Sequence, residues 1–205
     1  MAQRVDKLTV LGRFNNRMEV TELFKVPVFA VLLDLNTTSI EKYCLDYCDK
    51  NGGRIKTNAG GYQSNDMEFP QLAKEINKHL NILSETYAID GELVVDNMWI
   101  NINDFRDYNH IHAHPGALFS GVYYVKTPDN CGNIIFDHPA QDVMNYTYDA
   151  TNFKEYNQYN SITYWVEARE NLLYVFPGWL KHKVEPNFSN EKRISISFNI
   201  AQGNL

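Results

Sequence analysis

The sequence predicts a mainly β protein with flanking helices, its strands folded as a jelly-roll or cupin-like double-stranded β-helix barrel. Three observations carry that prediction. From Leu93 onward the apolar residues recur every second position, over roughly eight short runs. Turn-forming groups punctuate the runs: Pro115-Gly116, Pro128-Asp129-Asn130, Pro177-Gly178 and Asn187 to Asn190. Aromatic residues are plentiful, with Tyr 13, Phe 11 and Trp 3, and these side chains pack well on pleated surfaces.

Taken in order, Leu23 to Leu35 is an apolar, β-prone run and reads as a strand. A helix starts at Thr38, because Thr38 and Glu41 have capping-box spacing. Ile40, Tyr43, Cys44, Tyr47 and Cys48 form its apolar stripe, and Asn51-Gly52-Gly53 ends it. Asn58 to Met67 is rich in glycine and polar residues and reads as a loop. Pro70 suits the first turn of a second helix whose buried face is Leu72, Ile76, Leu80 and Leu83. The strands expected after it are Leu93–Ile102, Asp107–His114, Phe119–Lys126, Asn133–Phe136, Ile162–Ala168, Leu172–Phe176, His182–Glu185 and Arg193–Ala201. Asp142 to Ser161 is a polar, Tyr- and Asn-rich insertion. Together with Asn58 to Asp66 it is expected to shape a substrate entrance, since such segments are too long for simple connections.

A chain of 205 residues fits one domain and can bury a sizeable core without disulfides. The expected division is a strand and helix layer over residues 1–90 against a barrel core over 91–203. The net charge of −6 argues against a nucleic-acid binder, which would show a basic field. Met1 to Thr9 lacks the apolar run of an export signal, and no stretch reaches the ~20 apolar residues of a membrane span. Cys44, Cys48 and Cys131 are an odd set without further zinc ligands nearby, so they read as reduced thiols of a cytoplasmic protein. The sequence fixes no oligomeric state; a homodimer is compatible with it.

The chemistry gathers around histidine. His110, His112 and His114 alternate along one expected strand, so all three could point into the barrel. Imidazole is the commonest neutral nitrogen ligand for first-row metals. His182 follows the run Phe176-Pro177-Gly178-Trp179-Leu180, and Arg193 lies eleven residues further, in Arg193-Ile194-Ser195-Ile196-Ser197-Phe198. A barrel that sets the strand of His112 against that of His182 makes a metal site. Arg193 on the last strand then reaches the same interior. A guanidinium inside a barrel is costly unless it meets an anion, and its planar fork suits a carboxylate. Ser195, two residues on, shares its face and can donate a further hydrogen bond.

Asn109 to Val125, Phe176 to Pro186 and Arg193 to Asn199 together resemble a family of 2-oxoglutarate–Fe(II) oxygenases. Gly61-Tyr-Gln-Ser-Asn-Asp66 and Trp99-Ile-Asn-Ile-Asn103 look like the same family, and more distantly the chain is similar to prolyl hydroxylases. The resemblance implies a jelly-roll barrel holding Fe(II), with 2-oxoglutarate and O2 as cosubstrates. It implies hydroxylation of an unidentified small molecule or peptide side chain, with succinate and CO2 released. It sets His112 and His182 at the metal-binding histidines and Arg193, with Ser195, at the 5-carboxylate of 2-oxoglutarate. Tyr124 falls where a tyrosine hydroxyl assists that carboxylate. The chain departs from the pattern at His114, which stands where the family has an acidic ligand. Three readings stay open: His114 completes a three-histidine site, water takes its place, or His110 and His112 form the pair in a shifted register. Two rival functions follow. One is a three-histidine, cupin-type iron dioxygenase that does not use 2-oxoglutarate; the other is a metal-binding structural or binding protein without catalysis.

Overall fold

The computed structural model describes residues 20 and 22–203; the Met1 to Thr9 segment considered above lies outside them. In chain order the elements are β1 (Phe29–Leu32), α1 (Thr37–Lys50), β2 (Asn58–Ala59), β3 (Tyr62–Gln63), α2 (Pro70–Asn77) and α3 (Asn81–Tyr87). They continue with β4 (Leu93–Asn103), β5 (Tyr108–His112), β6 (Phe119–Lys126), β7 (Ile134–Asp137) and α4 (Gln141–Tyr148). The last four are β8 (Thr163–Val166), β9 (Leu172–Pro177), β10 (His182–Val184) and β11 (Arg193–Gln202).

The strands form two antiparallel sheets, one of order β1-β9-β6-β11-β4-β3 and one of order β2-β5-β10-β7-β8. This is the expected jelly-roll architecture, although the sheets stay separate and no closed barrel forms among the described residues. The inner faces meet through Val122, Tyr124, Tyr174 and Phe176 on one side and Ile134 and Phe136 on the other. The outer face of the six-stranded sheet packs Ile100, Ile102, Ile194, Ile196 and Phe198 against Ile40 and Cys44 of α1 and Leu72 and Ile76 of α2. No helix among the described residues is long and apolar enough to cross a membrane.

The expected strands appear within a few residues of their predicted ends, but four local expectations shift. The strand expected over Leu23 to Leu35 is ordered as β only at Phe29–Leu32, where β9 offers a partner. Helix α1 begins earlier than the capping-box reading: Asn36 is the cap, its side chain accepting from the Ser39 N–H at 3.1 Å. An Asn cap serves as well as Thr, so local composition could not choose between them. The second helix breaks at residues 78–80 into α2 and α3, which still bury Leu72, Ile76, Leu80 and Leu83 on one side. The predicted loop of Asn58 to Met67 contains β2 and β3, each recruited by a longer neighbouring strand. Cys44, Cys48 and Cys131 are free, and burial pushes the Cys44 thiol up to about 12, which keeps it inert.

Candidate metal centre

Strands β5 and β10 are hydrogen-bonded neighbours, and their register sets His112 directly opposite His182. The two imidazole centroids lie 4.3 Å apart. His114 stands past the end of β5, in the loop that leads to β6. Its backbone N–H donates to the Gly178 carbonyl at 2.7 Å, so the Pro177-Gly178 turn that introduces His182 also fixes His114. Gly178 is required there, since a Cβ would stand 2.3 Å from the Ala117 carbonyl oxygen. The His114 ring then lies 5.1 Å from that of His112 and 5.2 Å from that of His182. One ring nitrogen from each of His112, His114 and His182 falls within 4.8 Å of the others.

Hydrogen bonds orient two of these rings in the same way. His112 directs Nδ1 to the His110 carbonyl at 2.7 Å, and His182 directs Nδ1 to the Leu180 carbonyl at 2.9 Å. A ring that donates from Nδ1 keeps its Nε2 lone pair for a metal. Burial, first of all, lowers the pKa of all three: His182 to about 3, His114 to about 4, and His112 in the same direction. Neutral imidazoles are what a cation needs. Two nitrogen ligands ~2.1 Å from a metal and at right angles stand about 3 Å apart. His114 Nε2 and His182 Nε2 are 3.4 Å apart, so the cluster fits one first-row ion with small rotations of the rings.

His110 does not join them. Its ring is exposed and lies edge-on against Tyr108 at 4.9 Å. Strict alternation would have put it beside His112. Instead, Asn109 opposes Val184 while His112 opposes His182, so three steps on β5 match two on β10. That extra residue is a β-bulge, which turns Asn109 and His112 inward and His110 out.

Arg193 begins β11 on the facing sheet and is 1% exposed. Its Nη1 donates to the carbonyls of Cys131 and of Glu185, the latter at 2.9 Å. Its Nη2 is buried and has no partner among the described residues. Burial lowers the Arg193 pKa; among the described residues no carboxylate lies within ion-pair distance of the guanidinium, although Asp107 and Glu185 act on it from further off. Ser195 is paired in register with Asn101 on one side and Tyr124 on the other. Burial raises the Tyr124 pKa, which keeps its hydroxyl protonated and able to donate. The histidine cluster, Arg193, Ser195 and Tyr124 line one cavity of about 290 Å³ between the sheets. An unpaired buried guanidinium facing three neutral imidazoles across a cavity fits a metal chelated by a small dicarboxylate.

The sequence reading missed the rest of the cavity wall. Asn101, Asn103 and Asn109 are buried there with Gln63, and Trp99 closes one side against His114 at a ring separation of 5.7 Å. The signal was present: polar residues alternate with apolar ones in Asn97–Asn103 as they do in Arg193–Asn199, whose Arg193 face was already expected to point inward. Of the two segments expected at the entrance, Asn58 to Asp66 contributes Gln63 to the lining, whereas no residue of Asp142 to Ser161 lines the cavity.

Comparison with known proteins agrees with the geometry. A family model described as "Putative 2OG-Fe(II) oxygenase" matches residues 97–199, which include all three histidines and Arg193. A comparison with curated protein sequences returns no match. Among solved structures, a prolyl-4-hydroxylase from Pseudomonas putida superposes with a TM-score of 0.61 at 10% identity, covering 86% of this chain and 93% of that one. The carbocyclase SnoK of nogalamycin biosynthesis, a non-heme, alpha-ketoglutarate-dependent protein, gives 0.59 at 12% identity over 84% and 79% of the two chains. HygX from Streptomyces hygroscopicus, with nickel and 2-oxoglutarate bound, gives 0.57 at 8% identity over 86% and 83%. At such identities the likeness is one of fold, and the family match rests on the sequence itself. The chain therefore belongs to the 2OG-Fe(II) oxygenase family, oxidoreductases that use iron and 2-oxoglutarate on a double-stranded β-helix.

Proposed function

We propose that the protein is a 2-oxoglutarate-dependent dioxygenase that hydroxylates a C–H bond of its substrate, with His112, His114 and His182 as iron ligands. The observation that carries this is the unpaired Nη2 of Arg193, buried in the cavity opposite the histidine cluster. Arg193 receives the distal carboxylate of 2-oxoglutarate as a charge-assisted pair, with Ser195 and Tyr124 donating beside it. That placement leaves the keto end of the cosubstrate toward the histidines. Bound iron and 2-oxoglutarate supply the oxidising power: one oxygen atom of O2 enters the C–H bond and the other ends in succinate as CO2 leaves.

The chain's own part is geometric and electrostatic. The backbone carbonyls of His110 and Leu180 hold two ligand rings in the productive tautomer. Phe136 and Phe176 pack against the His182 ring, at 6.0 and 4.7 Å, and keep that side dry. His114 in place of an acidic ligand leaves the centre one unit more positive and its iron more weakly retained. In this reading residues 1–205 form one domain, with 91–203 as catalytic core and 1–90 as a layer upon it. The packing of α1 and α2 on the sheet supports that division. The protein works in the cytoplasm, a reading supported by its three free thiols.

The test is 2-oxoglutarate turnover with added Fe(II), followed as succinate release, alongside metal content. Wild type should bind one Fe(II) or Mn(II) and form succinate. His112→Ala and His182→Ala should each lose the metal, and His114→Ala should retain it less well. Unchanged metal content in both of the first two variants would sink the assignment.

A further inference from the structure

We propose that the primary substrate is a small molecule bearing an anionic group, which Arg54 and Lys56 hold at the open end of the cavity. The inference rests on the reading of Arg193 as the 2-oxoglutarate anchor, and it concerns the part of the cavity that this anchor leaves free.

The first observation is charge. Arg54, Lys56 and Arg193 line the cavity, and among the described residues no Asp or Glu does. This contrasts with a chain whose net charge is −6. Three neutral imidazoles do nothing to offset a divalent ion. A dianionic cosubstrate balances the ion but leaves Arg193 in excess. Asp66 pairs with Arg54 and is also close enough to Lys56 to feel its charge, so a single carboxylate serves both cations. A further anion is the partner this field favours.

The second observation is an orphaned donor. The Arg54 backbone N–H donates to the Gln63 carbonyl at 2.7 Å, which anchors the residue beside β3. Its Nη2 donates to Asp66 Oδ1 at 2.6 Å, and Asp66 is held in turn by Asn97 Nδ2 at 3.2 Å. That arrangement aims the guanidinium over the Trp99 ring, at 5.8 Å. The Arg54 Nε is buried and has no acceptor. A buried donor left unmade is costly, and a bound oxyanion would satisfy it. If Asp66 were the whole purpose of Arg54, Nε could share that carboxylate in a two-point fork; it does not.

The third observation is placement. Trp99 is a shared neighbour in the wall: the Arg54 guanidinium lies 5.8 Å and the His114 ring 5.7 Å from its ring. Lys56, two residues after Arg54, lines the same cavity as His114. An anion held by Arg54 and Lys56 therefore sets the adjoining carbon skeleton along Trp99, beside the histidines. Gln63 Oε1 and Asn101 Oδ1, both buried without partners, offer amide contacts along that path.

The experiment uses the full chain loaded with Zn(II), which is diamagnetic and redox-inert, and saturated with 2-oxoglutarate. Binding of 2-oxoglutarate is measured first by calorimetry. Acetate and inorganic phosphate are then titrated separately while the Arg54 Nε–H resonance is followed. A saturable shift with one or both is expected, and the tighter anion names carboxylate or phosphate as the recognised group. Lys56→Gln, an exposed change that should not disturb folding, should weaken that anion by about fivefold or more while leaving 2-oxoglutarate affinity unaltered. Arg54→Gln should abolish the saturable response, read at the Trp99 indole N–H. The inference is overturned if neither anion gives a saturable shift, if both variants bind it as wild type does, or if the anion merely displaces 2-oxoglutarate. Absence of 2-oxoglutarate binding at the first step would instead remove the reading of Arg193, and this inference with it.

Discussion

The two faces of the six-stranded sheet are both buried, yet they are built from opposite chemistry. On β11 the outward residues Ile194, Ile196, Phe198 and Ile200 are fully shielded by helices and neighbouring strands. The inward residues Arg193, Ser195, Ser197 and Asn199 alternate with them and face the cavity. β4 repeats the arrangement, with Met98, Ile100 and Ile102 outward and Asn97, Trp99, Asn101 and Asn103 inward. The outer face removes apolar surface from water and holds the layers together. The inner face is built of buried polar groups, and three of their atoms, Arg193 Nη2, Asn101 Oδ1 and Gln63 Oε1, have no partner among the described residues. Unsatisfied buried polar atoms are rare in folded proteins, and their concentration on one face identifies it as the face that waits for ligands.

Substitutions on the two faces should therefore separate binding from stability. The largest effect is expected at Arg193. Arg193→Met removes the charge proposed to face the distal carboxylate, and stranding one member of a buried pair costs roughly 3–5 kcal/mol. The affinity for 2-oxoglutarate should fall by about a hundredfold or more, measured by anaerobic calorimetry of the Mn(II) protein. Arg193→Lys should recover only part of it, because an ammonium cannot form the two-point fork. Metal content should be unchanged in both variants. Equal affinity in wild type and Arg193→Met would erase the functional distinction between the faces.

Ile196→Ala, on the opposite face of the same strand, should do the reverse. It should cost about 2–5 kcal/mol of unfolding free energy in a denaturant titration, through lost burial and the cavity left behind. The folded variant should bind 2-oxoglutarate as wild type does. A large change in affinity would mean that the outer face also shapes the site.

The histidine cluster sharpens the comparison through pH. His182 and His114 are held neutral by burial, at about 3 and about 4, whereas an unfolded chain would titrate them near ~6.5. Between those values the unfolded state binds more protons than the folded state. Stability of the metal-free protein should therefore fall as pH drops from about 7 toward 4, and the histidines should add no further loss below their folded values. Mn(II) should raise Tm at pH 7, and that gain should shrink toward pH 5 as protons compete for the imidazoles. A thermal series of wild type against His182→Asn, with and without Mn(II), measures both. An equal acid slope in the two metal-free proteins would count against the cluster as its source.

The smallest effect is expected at Ser195. Losing one hydrogen bond to the cosubstrate carboxylate should weaken 2-oxoglutarate by roughly two- to tenfold in Ser195→Ala, with little change in Tm. No change in affinity would leave Arg193 and Tyr124 as the whole of the carboxylate site.

Much of this was legible in the sequence. Two-residue alternation and Pro–Gly punctuation located the strands, because pleating and turn chemistry are local properties. The spacing from His112 to His182 to Arg193, together with the motifs around them, pointed to a metal and a carboxylate. Other features depended on contacts distant in sequence. The bulge that turns His110 outward arises where β5 meets β10, and no single strand encodes it. The start of α1 behind its Asn36 cap and the break between α2 and α3 were not legible either, since the local signals on either side were nearly equal. The sequence reading turned Arg193 and Ser195 of β11 inward but gave the polar residues of β4 no place in the site. Which face of a strand meets water is a property of what packs upon it, so only the tertiary structure could turn that polar face into a binding cavity, and with it reveal Gln63, Trp99 and Arg54.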